Sequence, residues 1–232
     1  MRLDKFLSVT KTATRSEAAK AAKQGRITVN GKVAYDCSLH IDENSDTVAY
    51  CGQTVIYKRF IWIMMNKPSG ILSASTDKKA KTVIDLLPPP LNTMGLFPCG
   101  RLDKDTVGLI MLTNDGELSH KLLSPKKHAE KLYRFKLARP YDKSKNIENG
   151  IMMDGKLTKP AVISMQSETE GQITLTEGKY HQIKRMFEYA GSEVTFLERL
   201  SFGGVIIDPS LDRGQWRYLT ESEEQTLRNN AE

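Results

Sequence analysis

Gly100-Arg101-Leu102-Asp103-Lys104-Asp105-Thr106-Val107-Gly108-Leu109-Ile110-Met111-Leu112 sets an acidic turn directly before a continuous apolar run. Leu109 to Leu112 suits a buried strand or short core segment, and the turn before it then presents Asp103 at the edge of that core. A carboxylate held there beside basic neighbours is what a reaction at a sugar or base carbon needs. The turn alone is no signature, because short acidic turns mostly cap helices or close loops. Its meaning comes from the sequence on either side.

Downstream, Asn114-Asp115-Gly116-Glu117 starts a helix with Leu118 and Leu122 on its buried face and Pro125 at its end. Lys126-Lys127-His128 then connects to Lys131-Leu132-Tyr133-Arg134-Phe135-Lys136-Leu137, where Tyr133, Phe135 and Leu137 alternate onto one side of a strand. A packed tyrosine with a satisfied hydroxyl is the common outcome of that pattern. Two more strands, Ala161 to Met165 and Gln172 to Thr176, lead into Glu177-Gly178-Lys179-Tyr180-His181-Gln182-Ile183-Lys184-Arg185-Met186-Phe187, a turn running into a helix. Lys179, Lys184 and Arg185 crowd the start of that helix against its macrodipole, a conflict that a nearby acid or phosphate resolves. Trp216 to Leu219 reads as a last strand, and Thr220-Glu221-Ser222-Glu223 caps a terminal helix.

Upstream, Phe60 to Met65 is a buried-strand candidate closed by Asn66-Lys67-Pro68-Ser69-Gly70, and Ser75 to Leu87 reads as a basic loop plus a helical turn. Few long helices separate the strands, which is an α+β pattern with a mixed, mainly antiparallel sheet and flanking helices. The polar stretch from Cys51 to Phe60 is taken as a linker, giving domains 1–59 and 60–232.

In the first domain, Leu3, Phe6 and Leu7 share one face of a short helix, and Thr14-Arg15-Ser16-Glu17 spells a capping box. An alanine-rich helix follows to Gly25. Arg26 to Val29, Asn30-Gly31 and Lys32 to Tyr35 read as strand, type I′ turn and strand. Arg2, Lys5, Lys11, Arg15, Lys20, Lys23 and Arg26 make this module basic, which points one face at phosphates.

The 232 residues carry a net charge of +6, in keeping with a polyanionic partner. Cys37, Cys51 and Cys99 show no paired spacing, and His40, His120, His128 and His181 lack metal-ligand spacing, so no disulfide framework or metal site is expected. No phosphate-cradling glycine motif is present, so a dinucleotide or ATP has no evident site. Neither an apolar leader after Met1 nor a window fit to span a membrane is found, so the expectation is a cytoplasmic protein without membrane contact.

Arg2-Leu3-Asp4-Lys5, Arg15-Ser16-Glu17-Ala18 and Gly25 to Lys32 resemble the S4 RNA-binding domain. Gly100-Arg101-Leu102-Asp103 with Thr106 and Gly108, Lys131-x-Tyr133 and Glu177 to Met186 resemble a pseudouridine synthase, as do Leu197-x-Arg199, Gly203 and Gly214-x-Trp216-Arg217. Together they resemble the RsuA family, which joins both domains. The resemblance implies isomerisation of uridine within 16S ribosomal RNA, on naked RNA or an assembling small subunit, without a cofactor. It makes Asp103 the essential carboxylate acting at the ribose, Tyr133 the ring that stacks on the flipped base, and Lys184 the partner of Asp103. Many relatives carry Arg where Lys184 stands, so a point charge here replaces a bidentate fork. Arg101 is implied to help hold the nucleotide out of its stack, with Lys179 and Arg185 as phosphate contacts. A monomer is expected. The competing readings are a synthase for a 23S site and a non-catalytic S4-type assembly factor.

Overall fold

Alternating runs of buried apolar residues organise two units in this computed structural model, which describes residues 1–124 and 129–231. One unit comprises Met1–Arg59 with Pro89–Met94, and the other Phe60–Pro88 with Gly95–Glu232.

In the first unit α1 (Leu3–Val9) buries Leu3, Phe6 and Leu7, and α2 (Arg15–Lys23) buries Ala18, Ala21 and Ala22. The small alanines let the two helices approach closely. The Thr14 hydroxyl accepts from Glu17 N at 3.2 Å while Glu17 accepts from Thr14 N at 2.7 Å, so the expected capping box forms. Asn30 (φ 51) and Gly31 (φ 76) both take the left-handed backbone that a I′ turn requires. They join β1 (Ile27–Val29) to β2 (Lys32–Val33), and β3 (Val48–Tyr50) and β4 (Gln53–Val55) complete an antiparallel sheet in the order β2-β1-β3-β4. The expected linker from Cys51 is therefore corrected: its first half turns at Cys51 and Gly52 and returns as β4. An exposed three-residue strand lacks the apolar alternation that would mark it in the sequence.

The second unit is built on β5 (Trp62–Lys67), every residue of which is buried. It pairs with β7 (Val107–Thr113), also buried throughout, while β6 (Phe97–Cys99) pairs with the far half of β7. The turn holding Asp103 is thus the loop of the β6–β7 hairpin. Asp115 caps α3 (Gly116–Leu123) by accepting from Leu118 N at 3.1 Å. The expected helix end at Pro125 and the basic connection Lys126-Lys127-His128 lie outside the described residues.

After these come β8 (Lys131–Leu137), a small hairpin of β9 (Met152–Met153) and β10 (Lys156–Leu157), then β11 (Val162–Met165) and β12 (Glu170–Leu175). They lead to α4 (Gln182–Tyr189), β13 (Val194–Phe202), β14 (Val205–Ile206), β15 (Trp216–Tyr218) and α5 (Glu221–Asn229), the last with its own capping box. The main sheet runs β11-β12-β8-β13-β7-β5-β15, antiparallel except where β13 lies parallel to β7. This is the mixed, mainly antiparallel α+β architecture expected. Among the described residues no helix is long and apolar enough to cross a membrane.

Candidate active site

Asp103 is held by its neighbours' backbone. Ser73 Oγ accepts from Leu102 N at 3.0 Å and donates to Leu102 O at 2.8 Å. Lys67, fully buried at the end of β5, donates from Nζ to Thr106 O at 2.8 Å and to Lys104 O and Pro68 O at 3.1 Å. The loop is therefore gripped one residue before Asp103 and one and three residues after it. Burial brings the Lys67 ammonium down to about 8, against the opposing pull of the Asp105 and Asp103 carboxylates.

Gly108 fixes the exit of the loop. Its φ of 97 favours glycine, and a Cβ there would collide with the Arg199 carbonyl and lie 2.9 Å from Arg199 N on the parallel β13. Beside it, buried Glu198 receives Arg134 and, at 2.6 Å, Arg213, and Arg213 also reaches Asn66 Oδ1. Buried Arg199 donates from Nε to Leu109 O at 2.7 Å. The tail motif thus braces the start of β7.

Across the cavity, α4 is docked by Phe187, whose ring lies 4.5 Å from Phe135 and 5.2 Å from Tyr141. Its approach turn is tied by Gln182, which accepts from Lys179 N at 2.9 Å and donates to Glu177 at 2.8 Å. This aims Lys184 and His181 at the loop. Lys184 Nζ lies 2.7 Å from both oxygens of Asp105 and 3.5 Å from Asp103 Oδ2, while His181 Nε2 lies 3.6 Å from Asp103 Oδ1. Burial raises the Asp105 carboxyl, but the Lys184 hydrogen bond and charge outweigh it and hold the group below its ordinary value. The conflict of cations at the start of α4 is met by carboxylates: Asp103 and Asp105 face Lys184, and Asp154 takes Arg185 in a fork at 2.9 Å.

A cavity of about 90 Å³ brings together Arg101, Asp103, Tyr133, Lys179, His181 and Lys184, with Leu102, Ile183 and Leu197 as apolar walls. Tyr133 is buried on β8, opposite Ile173 and Arg199. A carboxylate beside cations, a buried phenol and an apolar slot can hold a flat heterocycle next to a group that attacks or deprotonates a sugar. Arg185 does not line this cavity, and Lys179 spends its ammonium on Lys156 O and Leu157 O at 3.2 and 3.3 Å. Among the described residues no cluster of three or more His, Cys, Asp or Glu is placed to hold a metal ion.

In the first unit Arg2, Lys5 and Arg15 surround one concavity of about 380 Å³ with His40 and Asp4. Arg26 lines a separate hollow with Gly25 and Thr28, and Lys20 and Lys23 stand exposed on α2.

Lys67, Asp105 and His181 were not singled out as site residues by the sequence. Lys67 gave one faint signal, a lysine closing a strand that opens with an apolar run from Trp62 to Met65. His181 sits in the left-handed region (φ 49), which no periodicity reports.

Two folded modules, the first with a basic concavity and the second with a carboxylate facing Lys184 and His181, suit a protein that acts on a polyanion, and the comparisons make it specific. The RNA pseudouridylate synthase family matches residues 61–189, and the S4 domain matches residues 1–46. An uncharacterised RNA pseudouridine synthase of Bacillus subtilis, YtzG, is 44% identical over 96% of this chain and 96% of that protein. Ribosomal small subunit pseudouridine synthase A of Vibrio cholerae is 40% identical (96% of this chain, 97% of that one), and that of Escherichia coli 36% (96% and 98%). A crystal structure of a pseudouridylate synthase superposes with a TM-score of 0.69 at 36% identity, covering 98% of this chain and 99% of that one. The chain belongs to the RNA pseudouridine synthase family, in the group that carries an S4 domain.

Proposed function

We propose that the chain converts a uridine of small-subunit (16S) ribosomal RNA to pseudouridine in the cytoplasm, as a monomer, with residues 1–59 delivering RNA and residues 60–232 carrying the chemistry. The observation that carries the reading is the convergence of Lys184 and His181 on Asp103 in the cavity that Tyr133 and Arg101 also line. Relatives similar over nearly their whole length are named as small-subunit synthases, which supports the choice of RNA.

In this reading the Asp103 carboxylate acts at the ribose as the N1–C1′ bond breaks. The freed uracil turns, C5 bonds to C1′, the C5 proton leaves and N1 gains one, so composition is unchanged. Tyr133 stacks on the extruded base. Lys184 sets its ammonium 3.5 Å from Asp103 Oδ2 and 2.7 Å from Asp105, where it can balance charge as the carboxylate acts. Arg101 holds the nucleotide out of its stack, offsetting an extrusion cost of a few kcal/mol. Arg2, Lys5, Arg15, Lys20, Lys23 and Arg26 meet phosphates through the first unit, and Lys179 at the cavity and Arg185 outside it are read as further phosphate contacts.

The test is carbodiimide labelling with primer extension on small- and large-subunit rRNA transcripts, each with and without ribosomal proteins. The expected result is a new stop on small-subunit RNA with wild-type protein and none with Asp103→Asn. A stop on large-subunit RNA alone assigns the other subunit. No stop on either would leave an RNA-binding assembly factor.

A further inference from the structure

Tyr180 is an aromatic residue 74% exposed, placed between two residues, Lys179 and His181, that both line the cavity. Its ring lies flat on the His181 imidazole, 3.8 Å away and tilted by 18°. Among the described residues its hydroxyl has no hydrogen-bond partner, so the ring stack is what holds it. One face is covered by His181 and the other is left to water. The arrangement is built at some cost, because His181 must adopt a left-handed backbone (φ 49) that side chains beyond glycine avoid. Arg185 Nη1 donates to the same turn, 3.5 Å from Tyr180 O.

The neighbouring cations are already engaged: Lys179 with two carbonyls of β10, Arg185 with Asp154. Tyr180 is therefore the open group on this rim. A flat aromatic face backed by a second ring and flanked by basic residues takes a nucleobase, because every base offers a π-face whatever its edge. His181 touches both groups, its ring lying against that of Tyr180 and its Nε2 3.6 Å from Asp103 Oδ1. A base on the outer face is thus a neighbour of the reacting nucleotide rather than that nucleotide itself.

We propose that Tyr180, backed by His181, is a stacking subsite for one unpaired nucleobase next to the target uridine. This rests on the functional reading above and assigns a second base contact to the same cleft. The substrate then needs a splayed single-stranded step at that position, not a continuous helix.

The test uses the full chain. Tyr180→Ala is expected to raise KM for the converted rRNA transcript about ten-fold with kcat within about two-fold, and Tyr180→Phe to match wild type. Single-stranded RNA carrying 2-aminopurine beside a uridine is expected to lose fluorescence on binding wild-type protein and Tyr180→Phe, but not Tyr180→Ala. Equal melting temperatures confirm that an exposed truncation leaves the fold intact, and Tyr180→Gln repeats the measurement should they differ. An unchanged KM, a loss confined to kcat, a Tyr180→Phe variant as weak as Tyr180→Ala, or equal quenching by both proteins overturns the subsite. Absence of conversion by wild type contradicts the functional reading instead, and the quenching comparison still decides the subsite.

Discussion

Lys67 does not line the cavity, yet it holds the loop on which Asp103 and Asp105 stand. Its ammonium is kept near 8 against an ordinary 10.5, chiefly by burial. Between those values the unfolded chain holds the proton and the folded chain does not. The group's unfavourable contribution to stability is therefore full below about 8 and fades as pH rises through the window. Activity follows the opposite course. Above about 8 the amine loses one donor and the grip on Pro68, Lys104 and Thr106 slackens. The wild-type pH–rate profile is expected to show an alkaline limb there that Lys67→Met, uniformly slow, lacks. An identical limb in both removes Lys67 from the account. Lys184→Met is expected to lose most activity while melting shifts by under about 1 kcal/mol, since the ion pairs it leaves are partly exposed. A normal rate refutes its role. Asp103, Tyr133 and Lys184 could be singled out in the sequence because three ordered motifs carry them. Lys67, Asp105 and His181 could not, because each takes its role from a partner far along the chain: Lys67 from Thr106, Asp105 from Lys184, His181 from Asp103.

At the level of elements, the join between β7 and β13 decides where the loop stands. Gly108→Ala is expected to destabilise by about 2–4 kcal/mol, through a left-handed backbone and a clash with Arg199 that neither strand can relieve by a side-chain shift. A calorimetric melt matching wild type contradicts that. The helices α1, α2, α3 and α5 were legible because capping residues and apolar faces are local signals. The strands β5 and β8 were legible by their apolar run and alternation. By contrast β13, nine residues long and central to the sheet, was not read as a strand. Its middle holds Glu198 and Arg199, and buried charges erase the hydrophobic pattern. Only tertiary partners, Arg134, Arg213 and the Leu109 carbonyl, make them tolerable there. The hairpin β9–β10 is exposed in three of its four residues and left no periodicity either.

Over the whole molecule, the net charge of +6 includes one basic concavity in the first unit and, in the second, Arg101, Lys179 and Lys184 lining the cavity of Asp103. Composition was in keeping with a polyanionic partner, while the reaction came from the resemblance and from side chains that only the fold brings together. The central claim is that Asp103 drives a rearrangement in which C5 of uracil exchanges its hydrogen for a bond to C1′. Small-subunit rRNA transcribed with uridine tritiated at C5 measures that exchange directly. Wild-type protein is expected to release tritium to water up to about one equivalent per transcript, and Asp103→Asn to release none while still binding the RNA. Release by Asp103→Asn at the wild-type rate, or none by the wild type on any rRNA offered, contradicts the account.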